Sequence, residues 1–321
     1  MLTETDRQRP RLLVLVGPTA VGKTKLSLTL AEQYNAEIIS GDSMQVYRGM
    51  DIGTAKATPE ERARIRHHMI DIRDPDEPFS VAEFQERCTE LIREIHGRGK
   101  LPFIVGGTGL YIESVCYNFQ FSDAGSDDAF REEQKAFAQA QGAEALHERL
   151  KQVDPESAER LHPNDQRRII RALEIFHVSG ERLSDQLKRQ KKQSPYELCI
   201  VGLTMDRALL YKRIEERIDS MMQQGLVEEV RGLLAQGCSP SSVAMQGLGY
   251  KQIAGYLLGH YSLEEAVVLL KRDTRHFAKR QLSWFRRMKD IEWVDVSELA
   301  EFPTHLEQIH AIIAQKLKLD R

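Results

Sequence analysis

The sequence predicts an α/β protein. Its core is a parallel sheet of the P-loop type with helices on both faces, interrupted by a helical insertion. Three observations carry this reading. Leu12 to Val16, Leu101 to Val105 and Leu198 to Leu203 are short, continuous apolar runs, the pattern of strands buried on both faces. The first run is followed at once by GPTAVGKT, Gly17 to Thr24, and then by a helically periodic stretch. From 116 to 195 strand-like runs disappear and charged, helix-periodic sequence takes over. The expected division is a core of 1–115 with 196–321, and an insertion of 116–195.

In chain order, the first strand leads into GxxxxGK[ST], and Lys25 to Tyr34 forms a helix with Leu26, Leu30 and Ala31 on one face. Strand, glycine loop and helix in this order are the context a phosphate-binding loop requires. Backbone N–H groups of such a loop point at phosphate oxygens. Lys23 would neutralise an outer phosphate, and the Thr24 hydroxyl would ligate Mg²⁺. ATP, GTP and a prenyl diphosphate present the same oxygens, so the loop alone does not name its ligand.

Glu37 to Ser40 forms a second strand, ending in SGDSMQVYRGMDIGTAK at 40–56. That polar loop lies beyond the carboxyl end of a strand, where open α/β sheets bind ligands. Ser80 to Glu83 reads as a capping box opening a helix to about His96, which Gly97 and Gly99 end. The strand at 101–105 runs into GGTGLY, which lacks the third glycine of a dinucleotide fingerprint. Within 116–195, Asp154-Pro155 reads as an N-cap with Pro at the first helical position. Ile169, Leu173 and Phe176 form an apolar face, with Arg167 and Arg171 on another. Lys188 to Pro195 is a basic linker. The sheet resumes at Leu198, and Asp206 caps a helix to about Gln223. Ser262 to Glu265 is a second capping box, opening a long helix to about Met288. Ile291 to Val296 is the last strand.

Composition excludes several classes. With 41% hydrophobic residues and no apolar run of membrane-spanning length, the 321-residue chain is not a membrane protein by its helices. MLTETDRQRP lacks the apolar core of a secretory signal. Cys88, Cys116, Cys199 and Cys238 are scattered, with no CxxC pair, so neither a zinc site nor a disulfide framework is expected, and a reducing cytoplasm fits. The net charge of −3 argues against a nucleic-acid partner, but its distribution argues for one: Lys271 to Lys289 holds eight Lys/Arg and the single acid Asp273.

Asp42, on the rim beside the loop, suits a general base or a water-mediated Mg²⁺ ligand; a loop-capping aspartate would explain it too. Arg213 and Arg217, four apart on one helix face, could stabilise a leaving diphosphate or pair with Glu216 and Asp219 in solvent. Thr108 could offer its hydroxyl to the crevice, or its glycines could serve only a tight turn. His67 and His68 read as a strand start. On the helix from Ser262, Leu270, Phe277, Gln281, Trp284 and Met288 form one stripe. Lys271, Arg275, Lys279 and Arg286 lie opposite, beside Arg272, Arg280 and Arg287. The apolar stripe is expected on the core, and the basic face is expected free for a phosphate backbone.

Taken together, GPTAVGKT, SGDSMQVYRGMDIGTAK, VGGTGLY (105–111), RLHPNDQRRIIRALE (160–174), QGLGYKQ (246–252) and KRDTRHFAKRQLSWFR (271–286) closely resemble, in order, the motifs of the bacterial tRNA dimethylallyltransferases (tRNA isopentenyltransferases). The resemblance spans about 12–295, and the zinc-finger extension of eukaryotic relatives is absent from the sequence. It implies transfer of a dimethylallyl group from dimethylallyl diphosphate, with Mg²⁺, to the exocyclic amine of adenine 37 of tRNA. By motif, Gly17, Pro18, Thr19, Ala20, Val21, Gly22, Lys23, Thr24 and Arg217 would hold the diphosphate, and Asp42 would be the general base. Asp42, Ser43, Met44, Gln45 and Thr108 would line the adenine side. Gln166, Arg167, Arg168, Ile169 and Ile170 would contact tRNA, as would Gly247, Leu248, Gly249, Tyr250, Lys251 and Gln252, with Arg275, Lys279 and Arg280 gripping the backbone. A monomer with the insertion embracing the anticodon stem-loop is implied. The competing readings are a P-loop kinase of a small metabolite and a non-catalytic RNA-binding P-loop protein.

Overall fold

The computed structural model describes residues 9–121, 125–190 and 193–319. The extreme N-terminal segment read above for a secretory signal lies outside the described residues except for Arg9 and Pro10, and so do Lys191 and Lys192 of the basic linker. The chain divides into two compact units, one formed by residues up to Cys116 together with those from Ser194 onward, the other by Tyr117–Gln193.

The first unit is built on six parallel strands: β1 (Arg11–Val16), β2 (Ala36–Gly41), β3 (His67–His68), β4 (Leu101–Gly106), β5 (Glu197–Thr204) and β6 (Ile291–Asp295). Their order across the sheet is β3-β2-β4-β1-β5-β6. Leu12 to Val16 are almost wholly buried because the sheet is covered on both faces. All strands run the same way, so their carboxyl ends share one rim. The register sets Val16 and Gly41 each abreast of Gly106, and Val16 abreast of Gly202. The residues that follow are Gly17, Asp42 and Gly107, and they therefore meet on that rim.

Local chemistry sets the helix starts. Thr58 and Ser262 make complete capping boxes for Pro59–Arg64 and Leu263–Phe285, and Asp206 accepts from the N–H groups of Ala208 and Leu209 to open Arg207–Gln223. The expected box at Ser80 is only half formed. Ser80 accepts from the Glu83 N–H, but the Glu83 carboxylate turns to Arg73 and Arg87. An ion pair has displaced the reciprocal cap. Five helices of this unit escaped the sequence reading: Pro59–Arg64, Gly109–Cys116, Leu226–Ala235, Tyr250–Leu257 and Phe302–Leu317. The last buries Ile309, Ile313 and Leu317 and packs on β5 and β6.

The long helix Leu263–Phe285 differs from expectation. Its buried stripe is Ala266, Leu270, Ala278, Gln281 and Phe285. Trp284 is half-buried, its Nε1 donating to Glu113 (3.0 Å), with Arg287 over its ring. The helix packs on Arg207–Gln223, Tyr250–Leu257 and Gly109–Cys116. Of the expected stripe, Leu270, Gln281 and, just beyond the helix, Met288 are buried, whereas Ala278 and Phe285 take the inward places expected for Phe277 and Trp284, because the helix has neighbours on several sides.

The second unit is helical: Asp128–Gln141, Ala143–Val153, Pro155–Arg160, Gln166–Ser179 and Leu183–Arg189. Leu146, Leu150, Ile169 and Ala172 centre its core. Buried Asp154 caps the Pro155 helix through Ser157 and also accepts from the Ser184 N–H. Buried Glu174 is held by Arg131 and Arg171.

Candidate active site

The rim opens into a cavity of about 1060 Å³, lined wholly by the first unit. One wall is the glycine loop. Gly22 stands at φ +106 as the N-cap of Lys23–Gln33, a conformation open to glycine but costly for other residues. Ala20 also adopts a left-handed φ of 65. Its carbonyl accepts from Arg213 Nε (2.9 Å), which ties the strained apex to the helix Arg207–Gln223. Thr19, Ala20, Gly22, Lys23 and Thr24 face the cavity. Gly17, Pro18 and Val21 do not: Val21 is buried, and Gly17 and Pro18 offer their carbonyls to Lys23 Nζ, each at 2.8 Å. Of the eight loop residues expected to hold diphosphate, these three shape the loop instead.

Three cations converge here. Lys23 sits half-buried at the cavity floor, and burial together with the Arg217 charge pushes its pKa down to about 7, against a smaller pull upward from Asp42. Burial likewise lowers the pKa of Arg217, opposed by Asp42. Arg213 and Arg217 both line the cavity. The solvent pairing open to them in the sequence is not made: Glu216 pairs with Lys212, and Asp219 with Lys271.

Asp42 faces these cations across the cavity. Its Oδ1 accepts from the Met44 N–H (2.8 Å), a short turn that orients the carboxylate. Thr108 Oγ1 accepts from the Ser43 N–H (3.1 Å), and the Thr108 N–H donates to Gly41 (3.2 Å), so the β2 and β4 loops are stitched together. Asp42, Ser43, Met44, Gln45 and Thr108 all line the cavity. The Gln45 amide is used internally, accepting from Ser40 and donating to the carbonyls of Thr54 and Ala55.

Further residues hold this wall from behind in roles the sequence did not reveal. The Glu229 carboxylate accepts from the N–H groups of Asp51, Ile52 and Gly53 at 3.0, 2.8 and 3.1 Å, and from the Tyr250 hydroxyl at 2.6 Å. Buried Lys56 joins Asp51, Asp71 and the Tyr47 carbonyl. Gln281 bridges the glycine loop to Gly107. Lys56, Tyr250 and Gln281 fall inside the motifs above, but these bonds could not be read from them: Glu229 and Gln281 act on backbone groups far away in sequence, and Lys56 on carboxylates that only the folded loop brings to it.

Several residues expected at a tRNA surface prove internal. Ile169 and Ile170 are buried in the helical unit, whereas Gln166, Arg167 and Arg168 are exposed. Tyr250 is fully buried with its hydroxyl on Glu229. Gln252 is buried between Gly249 and Asp273, and Lys251 is exposed. Gly247, Leu248 and Gly249 line the cavity. The basic face of Leu263–Phe285 is only partly free. Arg275 pairs with Glu215 and Lys271 with Asp219, each at 2.6 Å, because acids of the neighbouring helix sit opposite. Lys279 and Arg280 are exposed, as is Arg286 just beyond the helix, and Arg280 reaches the cavity rim.

The family model described as IPP transferase matches residues 45–288. The chain is 51% identical over 310 residues to a tRNA dimethylallyltransferase of Geobacillus thermodenitrificans, covering 97% of this chain and 98% of that protein. It is 56% identical over 291 residues to one of Bacillus anthracis, covering 91% and 92%. The chain belongs to the IPP transferase family. Among solved structures, the full-length tRNA isopentenylpyrophosphate transferase of Bacillus halodurans aligns with a TM-score of 0.73 at 48% identity, over 96% of this chain and 97% of that one. A eukaryotic dimethylallyltransferase described as acting on tRNA aligns with a TM-score of 0.80 at 29% identity, over 95% and 78%. The matched segment holds Thr108, Arg217 and Gln281, while the glycine loop and Asp42 precede it.

Proposed function

We propose that this chain transfers a dimethylallyl group from dimethylallyl diphosphate to N6 of adenine 37 of tRNA, releasing diphosphate. The observation that carries the proposal is one cavity with cations on one wall and a carboxylate with hydroxyls on the other, in a member of the IPP transferase family. The chain is a tRNA prenyltransferase by kinship; the residue roles below are our reading of its geometry.

Dimethylallyl diphosphate would lie with its diphosphate on Gly22, Lys23, Thr24, Arg213 and Arg217. An allylic C1–O bond breaks readily once the leaving group is neutralised, so concentrated positive charge is the main requirement. N6 of adenine attacks C1 as that bond breaks. Its proton passes to the Asp42 carboxylate, and the electron pair of the C1–O bond leaves on diphosphate. The adenine amine is reachable only with the base out of its stack, and Ser43, Met44 and Thr108 would receive it. Thr24 offers a hydroxyl oxygen at the loop, with Asp42 kept for the proton. A single hard oxygen beside the diphosphate suits Mg²⁺, which takes one or two protein oxygens plus phosphate oxygens and water. When bound, Mg²⁺ would neutralise charge on the departing diphosphate.

The exposed Gln166, Arg167 and Arg168, with Lys279, Arg280 and Arg286, supply the residues we assign to the tRNA backbone. Four free cysteines, three of them buried, suit a reducing cytoplasm, and no helix among the described residues is long and apolar enough to cross a membrane. We propose that the active species is a monomer.

The deciding assay is purified protein with tRNA lacking the modification, Mg²⁺, and either dimethylallyl diphosphate or ATP. Prenylated adenosine with the first donor supports the proposal. Phosphoryl transfer from ATP without prenylation would overturn it in favour of a kinase.

A further inference from the structure

Gln281 is 6% exposed, and both ends of its carboxamide are engaged by backbone far away in sequence. Oε1 accepts from the Thr19 N–H (2.9 Å) at the apex of the glycine loop. Nε2 donates to the Gly107 carbonyl (2.9 Å) at the end of β4. The approach is close enough that a Cβ on Gly107 would collide with the Gln281 amide. One peptide further on, Thr108 is bonded to Ser43 and Gly41, the residues flanking Asp42. A path of hydrogen bonds and one peptide unit therefore joins the loop that faces the leaving group to the turn that faces the acceptor, with Gln281 linking the glycine loop to Gly107 and Thr108 linking the next residue to Ser43 and Gly41. The helix that carries it also presents Thr274, Phe277 and Arg280 to the same cavity.

We propose that Gln281 is a positioning residue: it sets the spacing between the donor wall at Thr19–Thr24 and the acceptor wall at Asp42–Thr108. The inference rests on the prenyl-transfer reading above. It has a consequence for Thr19, whose N–H is committed to Gln281, leaving its side-chain hydroxyl for the diphosphate. Gln281 borders the cavity, but its carboxamide is committed to the Thr19 N–H and the Gly107 carbonyl rather than left free for a reactant. Its effect is on how C1 of the donor and N6 of the acceptor are aligned, and a misplacement of about 1 Å is enough to cost ~10²-fold in rate.

The carboxamide is needed for both of its atoms, which makes the test specific. Gln281→Met keeps the volume and removes donor and acceptor together. Gln281→Glu keeps the acceptor for Thr19, but as a carboxylate it turns an oxygen toward the Gly107 carbonyl. Only its protonated form can donate there. Single-turnover prenylation of unmodified tRNA, with both substrates saturating, should fall ~10–100-fold in Gln281→Met, while the dissociation constants for tRNA and for inorganic pyrophosphate change less than about threefold. The Gln281→Glu rate, relative to wild type, should rise as pH is lowered from 8 to 6, whereas the relative rate of Gln281→Met stays flat. A Gln281→Met rate within threefold of wild type overturns the proposal. If that variant fails to fold, a pH-independent relative rate for Gln281→Glu overturns it instead. Absence of prenyl transfer by the wild-type protein would overturn the functional reading itself, a different result from a wild type and variant that turn over equally.

Discussion

Capture of diphosphate should take up a proton at Lys23. Half-buried at the cavity floor beside Arg217 and the loop carbonyls, the ammonium has a pKa of about 7 in the free protein instead of 10.5. The sign follows from the cause: burial and a like charge disfavour the protonated form, whereas a bound polyanion favours it. The bound state therefore holds the proton to higher pH than the free state. At pH 8 about one Lys23 in eleven is charged, so binding should draw in about 0.9 proton per site, against about 0.5 at pH 7. Recharging the side chain at pH 8 costs about 1.4 kcal/mol, so affinity should be greatest at and below pH 7 and weaken about tenfold per unit above it, until the bound-state pKa is reached. Pyrophosphate titrates in the same range, so the measurement is a difference. Isothermal titration at pH 8, in two buffers of unlike ionisation enthalpy, would compare wild type with Lys23→Arg, whose guanidinium stays protonated throughout. Wild type should take up close to one more proton than the variant. Equal uptake in both would refute the reasoning, because Lys23 would then be charged before the ligand arrives.

Asp42→Ala should lower single-turnover prenylation by ~10²–10⁴-fold, the range for losing a general base, with tRNA affinity in filter binding largely kept; a rate within threefold of wild type would remove Asp42 from proton transfer. Lys279→Gln with Arg286→Gln should flatten the salt dependence of tRNA affinity by ~0.7–0.9 per lost phosphate contact. Arg275→Gln should leave that slope unchanged, since its partner is Glu215; an equal effect from Arg275 would contradict the division of the basic face. Glu229→Ala strips three loop N–H groups and the Tyr250 hydroxyl of their acceptor, so it should raise KM for tRNA and lower the melting temperature, with the loop's hydrogen exchange accelerated. Phe285→Ala should destabilise by ~3–5 kcal/mol in urea unfolding, and Trp284→Ala by less, because the first ring is fully buried and the second is not.

Sequence alone determined whatever depends on short-range chemistry. A glycine loop between an apolar strand and a helix has few other conformations, so Gly22, Lys23 and Thr24 were legible. Strand ends carry rim residues in a parallel sheet, so Asp42 and Thr108 were legible as well. Caps such as Asp206 and Ser262 act within four residues of themselves and could be read directly. Tertiary structure decided what depends on which elements become neighbours. Periodicity put Lys271 and Arg275 opposite an apolar stripe, but it could not show that Glu215 and Asp219 of another helix would face them. The same helix meets the core on one side and the cavity on another, so Phe285 rather than Trp284 went inside. Arg213 and Arg217 were as compatible with solvent as with a ligand until β5 placed their helix beside the loop. The bridging roles of Gln281 and Glu229 were invisible for one shared reason. Each acts on backbone N–H and carbonyl groups, which every residue possesses, across about 180 to 260 positions of chain. Residue type leaves no trace of such a bond, and only the folded path of the chain creates it.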